Sequence, residues 1–189
     1  MGNEAKEGGG VQVASQGVSG GPSLVLQSRL FAGNEATASG GVLNVMDSSA
    51  VEILNCTFSD NSGGEDDGVV LAKESSSVAI ANSIFWGNHT IPISFDAGVT
   101  GEVIYSLVEG GYPGEGNISG SPDFRAPEAG DYSLTRTSVC IDAANWYPPT
   151  GGDLLGNSWC DVQSVPNTGN GEISYIDMGA LEFQAPECE

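Results

Sequence analysis

Positive charge is nearly absent from this chain. Five Lys and Arg residues stand against 25 Asp and Glu in 189 residues, a formal net charge of −20. Phosphate backbones and anionic lipid surfaces are held by clustered Lys and Arg, so neither a nucleic acid nor a charged membrane surface is an expected partner. Long apolar runs are missing too: no stretch of 18 apolar residues occurs, and no transmembrane helix is expected. There is one histidine, His89. The four cysteines (Cys56, Cys140, Cys160, Cys188) form no C-x-x-C pair, which argues against a zinc site. No G-x-x-x-x-G-K-[ST] phosphate loop and no H-E-x-x-H helix is present. The opening residues "MGNEAKEGGG" carry neither the basic nor the apolar region of a signal peptide, and the chain is expected to be part of a longer exported protein.

Glycine is abundant, with 28 residues, and Val, Ile, Ser and Thr mark out short segments between turn-forming residues. The chain therefore reads as all-β. Three segments repeat at a fixed distance: "LVLQSRLFAGN" (24–34), "VEILNCTFSDN" (51–61) and "VAIANSIFWGN" (78–88), each beginning 27 residues after the last. Their columns agree in chemistry. Leu24, Val51 and Val78 share one; Leu26, Ile53 and Ile80 another; Phe31, Phe58 and Phe85 a third; Asn34, Asn61 and Asn88 a fourth. A second patch keeps the same spacing, with Val42 over Val69 and Leu43 over Val70, each after a glycine. A fixed period in this range signals a solenoid, propeller or array.

Alternation of apolar positions within each segment indicates short strands with one buried face. Two strands, a turn and a loop fit one coil of a right-handed parallel β-helix, whose coils stack at ~4.8 Å and place each column in a vertical row. The Phe column is then an internal aromatic stack. The Asn column is a corner ladder, where amides bond along the axis and Asn tolerates left-handed backbone geometry. "VIYSLVEGG" (103–111), with Val108 in the Phe column, and "GGVQV" (9–13) extend the pattern to about four to five coils over residues 8–117. A propeller is disfavoured because its blades need ~40–45 residues each.

Little in this stretch points to catalysis. Trp86 shares a column with Ala32 and is expected to project outward, where it could stack on a sugar or pack a loop. His89, just past the corner, is expected on the surface. Asp66 and Asp67 belong to an acidic insert and are further candidates for ligand contact. A glycosidase needs two carboxylates ~5–9.5 Å apart, but 25 acids supply such pairs by chance. A Ser-His-Asp triad would rest on His89 alone.

The pairing of F-x-x-N (Phe31–Asn34, Phe58–Asn61, Phe85–Asn88) with G-G-V-L (Gly40–Leu43) resembles the polymorphic outer-membrane-protein type of repeat. That repeat occurs in parallel β-helix proteins exported to cell surfaces. This chain departs from it at "GGEDDGVV" (63–70). From residue 118 the period stops. The pieces "GSPDF" (120–124), "GDYSL" (130–134), "SVCIDAA" (138–144), "DLLGN" (153–157) and "DMGALEF" (177–183) together resemble the choice-of-anchor Q module that ends many exported β-helix proteins. Leu181 stands where that family usually has an aromatic residue. The resemblance implies an extracellular or cell-surface location.

Residues 118–184 are accordingly expected to cover the open end of the stack, whose unpaired edge would otherwise associate. Four cysteines allow three pairings. Cys140 and Cys160 flank a Gly- and Pro-rich loop and form the candidate disulfide, contributing ~3 kcal/mol. Asp142, Asp153 and Asp177 lie in turn-like contexts where carboxylates accept backbone N–H bonds. They are weak calcium candidates, since no D-x-D-x-D-G loop accompanies them; otherwise no cofactor is expected. The sequence thus reads as a monomeric, non-catalytic surface module, a stalk, adhesin or glycan contact, with a polysaccharide or another surface protein as partner. The alternative is the C-terminal end of a polysaccharide lyase or glycosidase on the same scaffold. An ice- or mineral-binding face would need flat rows of Thr or Asp, which the columns lack.

Overall fold

A computed structural model describes residues 2–7, 9–15, 20–39, 41–64, 68–145 and 151–188. Each repeat column becomes a row of parallel pairing. Ser23–Gln27, Ala50–Leu54, Ser77–Ala81 and Thr100–Ile104 form one four-stranded sheet, and Leu30–Ala32, Thr57–Ser59, Ile84–Trp86 and Leu107–Val108 a second. Val11–Val13, Leu43–Val45, Val70–Ala72 and Ile93–Phe95 form the third. Glu4–Glu7 pairs with Glu35–Ser39 beside them. No α-helix occurs among the described residues.

The architecture is a parallel β-helix of about three turns, with four rungs in each sheet. The repeats suggested four to five coils. The count is lower because Val11–Val13 supplies the first sheet strand rather than a whole extra coil, and the segment after Val108 turns across the end of the stack.

The lumen holds the columns in register. Phe31 pairs with Phe58 and Phe58 with Phe85, and the rings stack with centroids 4.9 and 4.6 Å apart. Val108 continues that column against Phe85. Asn34, Asn61 and Asn88 form a ladder: the Asn34 N–H and Nδ2 both donate to Asn61 Oδ1 (3.0 and 2.9 Å), and those of Asn61 to Asn88 Oδ1 (3.1 and 3.0 Å). Asn3 adds a further rung by donating to Asn34 Oδ1 at 2.9 Å.

One expectation about this corner needs correcting. The left-handed residues there are Gly33, Asp60 and Gly87 (φ 65°, 54°, 67°), each one position before the ladder Asn. Asn with positive φ occurs instead at the other corner, at Asn55 and Asn82 (φ 49° and 55°). The first ladder Asn is therefore selected for its amide bonds, the second also for its backbone.

The end of the stack is closed locally. Ile118 N–H donates to Ser106 O, Tyr105 N–H to Glu115 O, and the Asn117 side chain bonds both Ser106 N–H and Val103 O. Tyr112 packs onto the lumen core. The described residues beyond 118 pack beside the stack. They lie along the outer face of the Leu30–Val108 sheet, where a second core gathers Ile84, Tyr105 and Leu107 with Leu134, Ile141, Val162, Ile176 and Met178. The reason is the alternation within that sheet: Phe85 and Val108 face the lumen, so Ile84 and Leu107 face outward and need cover.

Contact with the flank spans three rungs, the first through Ser28 Oγ, which donates to Gly152 O (3.4 Å). Asn55 Nδ2 donates to Asp177 O (3.2 Å), Ala180 N–H to Thr57 Oγ1 (3.0 Å) and Gly179 N–H to Asn82 O (2.8 Å). Gly179 has φ +101°, and a Cβ there would lie 2.7 Å from Ile84 Cδ1. Only glycine permits this approach.

The disulfide also differs from expectation. Cys160 is bonded to Cys188, with Cα atoms 5.5 Å apart, while Cys140 and Cys56 are free and buried. Cys140 faces the second core, and the C-terminal turn Pro186–Cys188 returns to Cys160 instead. Loop length alone favoured the nearer partner; the return of the C-terminal turn to the same core brings Cys188 to Cys160 instead. Burial holds both free thiols protonated, pushing Cys56 up to about 12 and Cys140 higher.

Candidate functional site

Where the lateral segment first meets the stack, it leaves a groove of about 340 Å³ lined by Asp60, Trp86, Gly87, Asp123, Phe124 and Pro127, with Ser59, Ser121 and Pro122. Trp86 ends the third strand of its sheet, in register with Ser59, and its carbonyl accepts the Ser59 hydroxyl at 2.8 Å. The strand alternation that puts Phe85 in the lumen puts Trp86 outside, half-buried against the second core. Asp60 follows Ser59 in left-handed geometry, which turns its carboxylate back over the groove.

The opposite wall is a hairpin. Phe124–Ala126 pairs antiparallel with Asp131–Leu134 around the turn Pro127–Ala129. Phe124 meets Tyr132 edge-on at 5.3 Å, and the Tyr132 hydroxyl donates to Asp60 Oδ2 at 2.8 Å. Burial raises the Tyr132 pKa to about 12, helped by the bond to Asp60 and its charge. The phenol therefore stays a donor and anchors the hairpin to the stack. Asp123 Oδ2 accepts the Thr137 hydroxyl at 3.0 Å. Below the groove the Gly87 N–H donates to Glu109 Oε2 at 2.7 Å.

Chemically the groove offers two aromatic side chains, carboxylate acceptors and a serine hydroxyl, with no basic residue in its lining. An aromatic ring beside hydrogen-bond acceptors suits a sugar, which has an apolar C–H face and a rim of hydroxyls.

Of the candidates read from sequence, Trp86 lies in this groove. His89 is exposed and does not line it. Asp66 and Asp67 lie outside the described residues. Asp123, Phe124 and Tyr132 were visible only as parts of "GSPDF" and "GDYSL", with nothing local to link them to a tryptophan far back in the chain.

The calcium candidates lie elsewhere, in the second core. Asp153 Oδ1 accepts Leu155 and Asn157 N–H (2.8 Å each), and its Oδ2 accepts Glu182 N–H (3.0 Å). Asp177 accepts Asp142 N–H (2.8 Å) and Phe183 N–H (2.6 Å). These oxygens serve the backbone, and the described residues hold no group of three or more His, Cys, Asp or Glu arranged for a metal ion.

A family model described as "Right handed beta helix region" matches residues 4–114. The chain belongs to that family. The match covers the coil stack and stops before the hairpin that completes the groove. No curated protein and no solved structure matches the chain. In a right-handed β-helix the outer sheet faces carry whatever contacts the molecule makes, because the lumen is filled. No helix among the described residues is long and apolar enough to cross a membrane.

Proposed function

We propose that this chain is a non-catalytic surface module of an exported β-helix protein, and that it contacts a neutral glycan through the Trp86 groove. The carrying observation is the composition of that groove: Trp86 and Phe124 with Asp60 and Asp123, in a volume at the lower end of ligand pockets, with no cation to receive an acidic sugar. The lateral segment, with its resemblance to choice-of-anchor Q modules, supplies one wall and serves as the attachment end of the stalk. The Cys160–Cys188 disulfide is compatible with an extracellular location. The high negative charge favours a monomer.

The same geometry disfavours hydrolysis. A general acid for glycoside cleavage is a carboxyl kept protonated by burial yet within reach of substrate. Asp60 is exposed and bonded to Tyr132, and Asp123 is bonded to Thr137. The carboxyls that burial does raise, Asp142, Asp177 and Glu182, are sealed in the second core.

Tryptophan fluorescence titration with neutral and uronate-containing oligosaccharides tests the reading. Binding of a neutral oligosaccharide is expected, weakened at least tenfold (~1.4 kcal/mol) in Trp86→Ala and less in Asp60→Asn. Uronates are expected not to bind. Unchanged affinity in Trp86→Ala would move the site elsewhere. Release of reducing ends that stops in Asp60→Asn or Asp123→Asn would replace this reading with the carbohydrate-active enzyme.

A further inference from the structure

The second core contains an arrangement that glycan contact does not use. Asp142, Asp177 and Glu182 are all at most 4% exposed, and Asp153 adjoins them at 7%. Asp177 and Glu182 close a clasp across the turn: Glu182 Oε2 accepts Asp177 N–H (3.1 Å), and Asp177 Oδ2 accepts Phe183 N–H (2.6 Å). The loop so closed presents Gly179 and Ala180 to the stack, where their N–H groups bond Asn82 O and Thr57 Oγ1. One turn of chain therefore docks on the stack with its backbone and carries buried carboxyls on its side chains.

Asp142 differs from its neighbours. It is fully buried and its N–H donates to Asp177 Oδ1, while its own carboxyl oxygens make no well-formed hydrogen bond and are faced by the Val162 N–H. A carboxylate in that position would be desolvated, and a single backbone N–H offsets only part of that cost. The charges that act on it are all negative, from Asp161, Asp177 and Glu182, and the Cys140 thiol nearby also feels Asp177 and Asp123. The basic side chains of this segment are engaged elsewhere: Arg125 lies 3.9 Å from Asp131 at the surface, and Arg136 donates to Ser164 Oγ. Among the described residues no cation faces the Asp142 carboxyl, and the counter-charge that fits is a proton.

We infer that the Asp177–Phe183 clasp is a proton-dependent latch: the lateral segment is held on the stack while the Asp142 cluster is protonated, and loosens as the cluster ionises. Burial, with like charge nearby, raises Asp142 to about 7 and Asp177 to about 8, and raises Glu182 as well. Folded values above the ordinary carboxyl range mean that the docked state binds more protons than the open one. Their contribution is complete below about pH 4 and is lost progressively as pH rises through 7 to 8. Each group adds roughly a tenfold rise in opening per pH unit within its window. The latch is independent of whether the groove binds a glycan.

Hydrogen exchange of the whole chain between pH 5 and pH 8, corrected for intrinsic rates, tests it. Amides of residues 178–183 are expected to lose at least tenfold protection relative to those of 78–81 in the stack. In Asp142→Asn this loss is expected to shrink, and at pH 8 the variant should be better protected than the parent. If Asp142→Asn does not fold, Asp142→Gly removes the carboxyl at a residue with φ +53° that suits glycine. Protection at 178–183 that stays in step with the stack across this range overturns the inference. So does a parent-like loss in a variant lacking the Asp142 carboxyl.

Discussion

The coil stack and the segment on its flank bury their backbones by opposite means. In the stack the strands bond rung to rung, and the corners are closed by side chains at repeat positions: Asn34, Asn61 and Asn88 at one, Ser83 and Ser106 at the other, where each serine hydroxyl accepts the N–H of the matching residue one coil back. Among its described residues the flanking segment has one short hairpin and no stacked parallel sheet. Three acidic side chains replace it. Asp153, Asp177 and Glu182 between them accept seven backbone N–H groups, from Leu155, Asn157, Glu182, Asp142, Phe183, Cys160 and Asp177. A repeat satisfies its polar groups by translation, while an irregular chain must place an acceptor at each turn. Acceptors that can ionise make the second region sensitive to pH where the first is not.

The comparison is broken most severely by removing one side of it. A chain ending after Ser119 keeps its own end closure but exposes Ile84 and Leu107 on the flank. It is expected to self-associate in size-exclusion chromatography, and Ile84→Ser with Leu107→Ser is expected to restore the monomer. Association that these substitutions leave untouched would locate the sticky surface at the end of the stack instead.

Next in size is the central ring. Phe58 is fully buried between Phe31 and Phe85, so Phe58→Ala is expected to cost ~3–5 kcal/mol in denaturant unfolding. The loss should appear in the stack and the flank together, since the flank docks on the stack. A loss below ~1 kcal/mol would mean that the column contributes little.

The smallest effect sharpens the contrast. Gly179→Ala strains a φ of +101° and drives a Cβ toward Ile84 and Thr57. A cost of ~1–3 kcal/mol is expected. Hydrogen exchange should show it in residues 140–185, with residues 51–54 unchanged. Equal loosening in both regions would mean that the two fold as one unit.

The fold class and the interior of the stack were legible because parallel coils in register turn a sequence period into a spatial contact. Residues 27 apart must touch, so Phe31, Phe58 and Phe85 could be assigned to one row from letters alone. Even the lateral docking face left a trace, since Leu30, Thr57, Ile84 and Leu107 form a column that is apolar at three of its four positions, one step out of phase with the rings. The remaining features join distant residues with no period between them. Tyr132 reaches Asp60 across 72 residues, Asn55 reaches Asp177 across 122, and Cys160 bonds Cys188 and not Cys140. The direction in which an irregular chain returns to a surface is set by the summed packing of that surface and not by any local pattern. The β-helix was therefore determined by the sequence period, while the groove, the disulfide and the buried carboxyl latch were decided only when the flank closed on the stack.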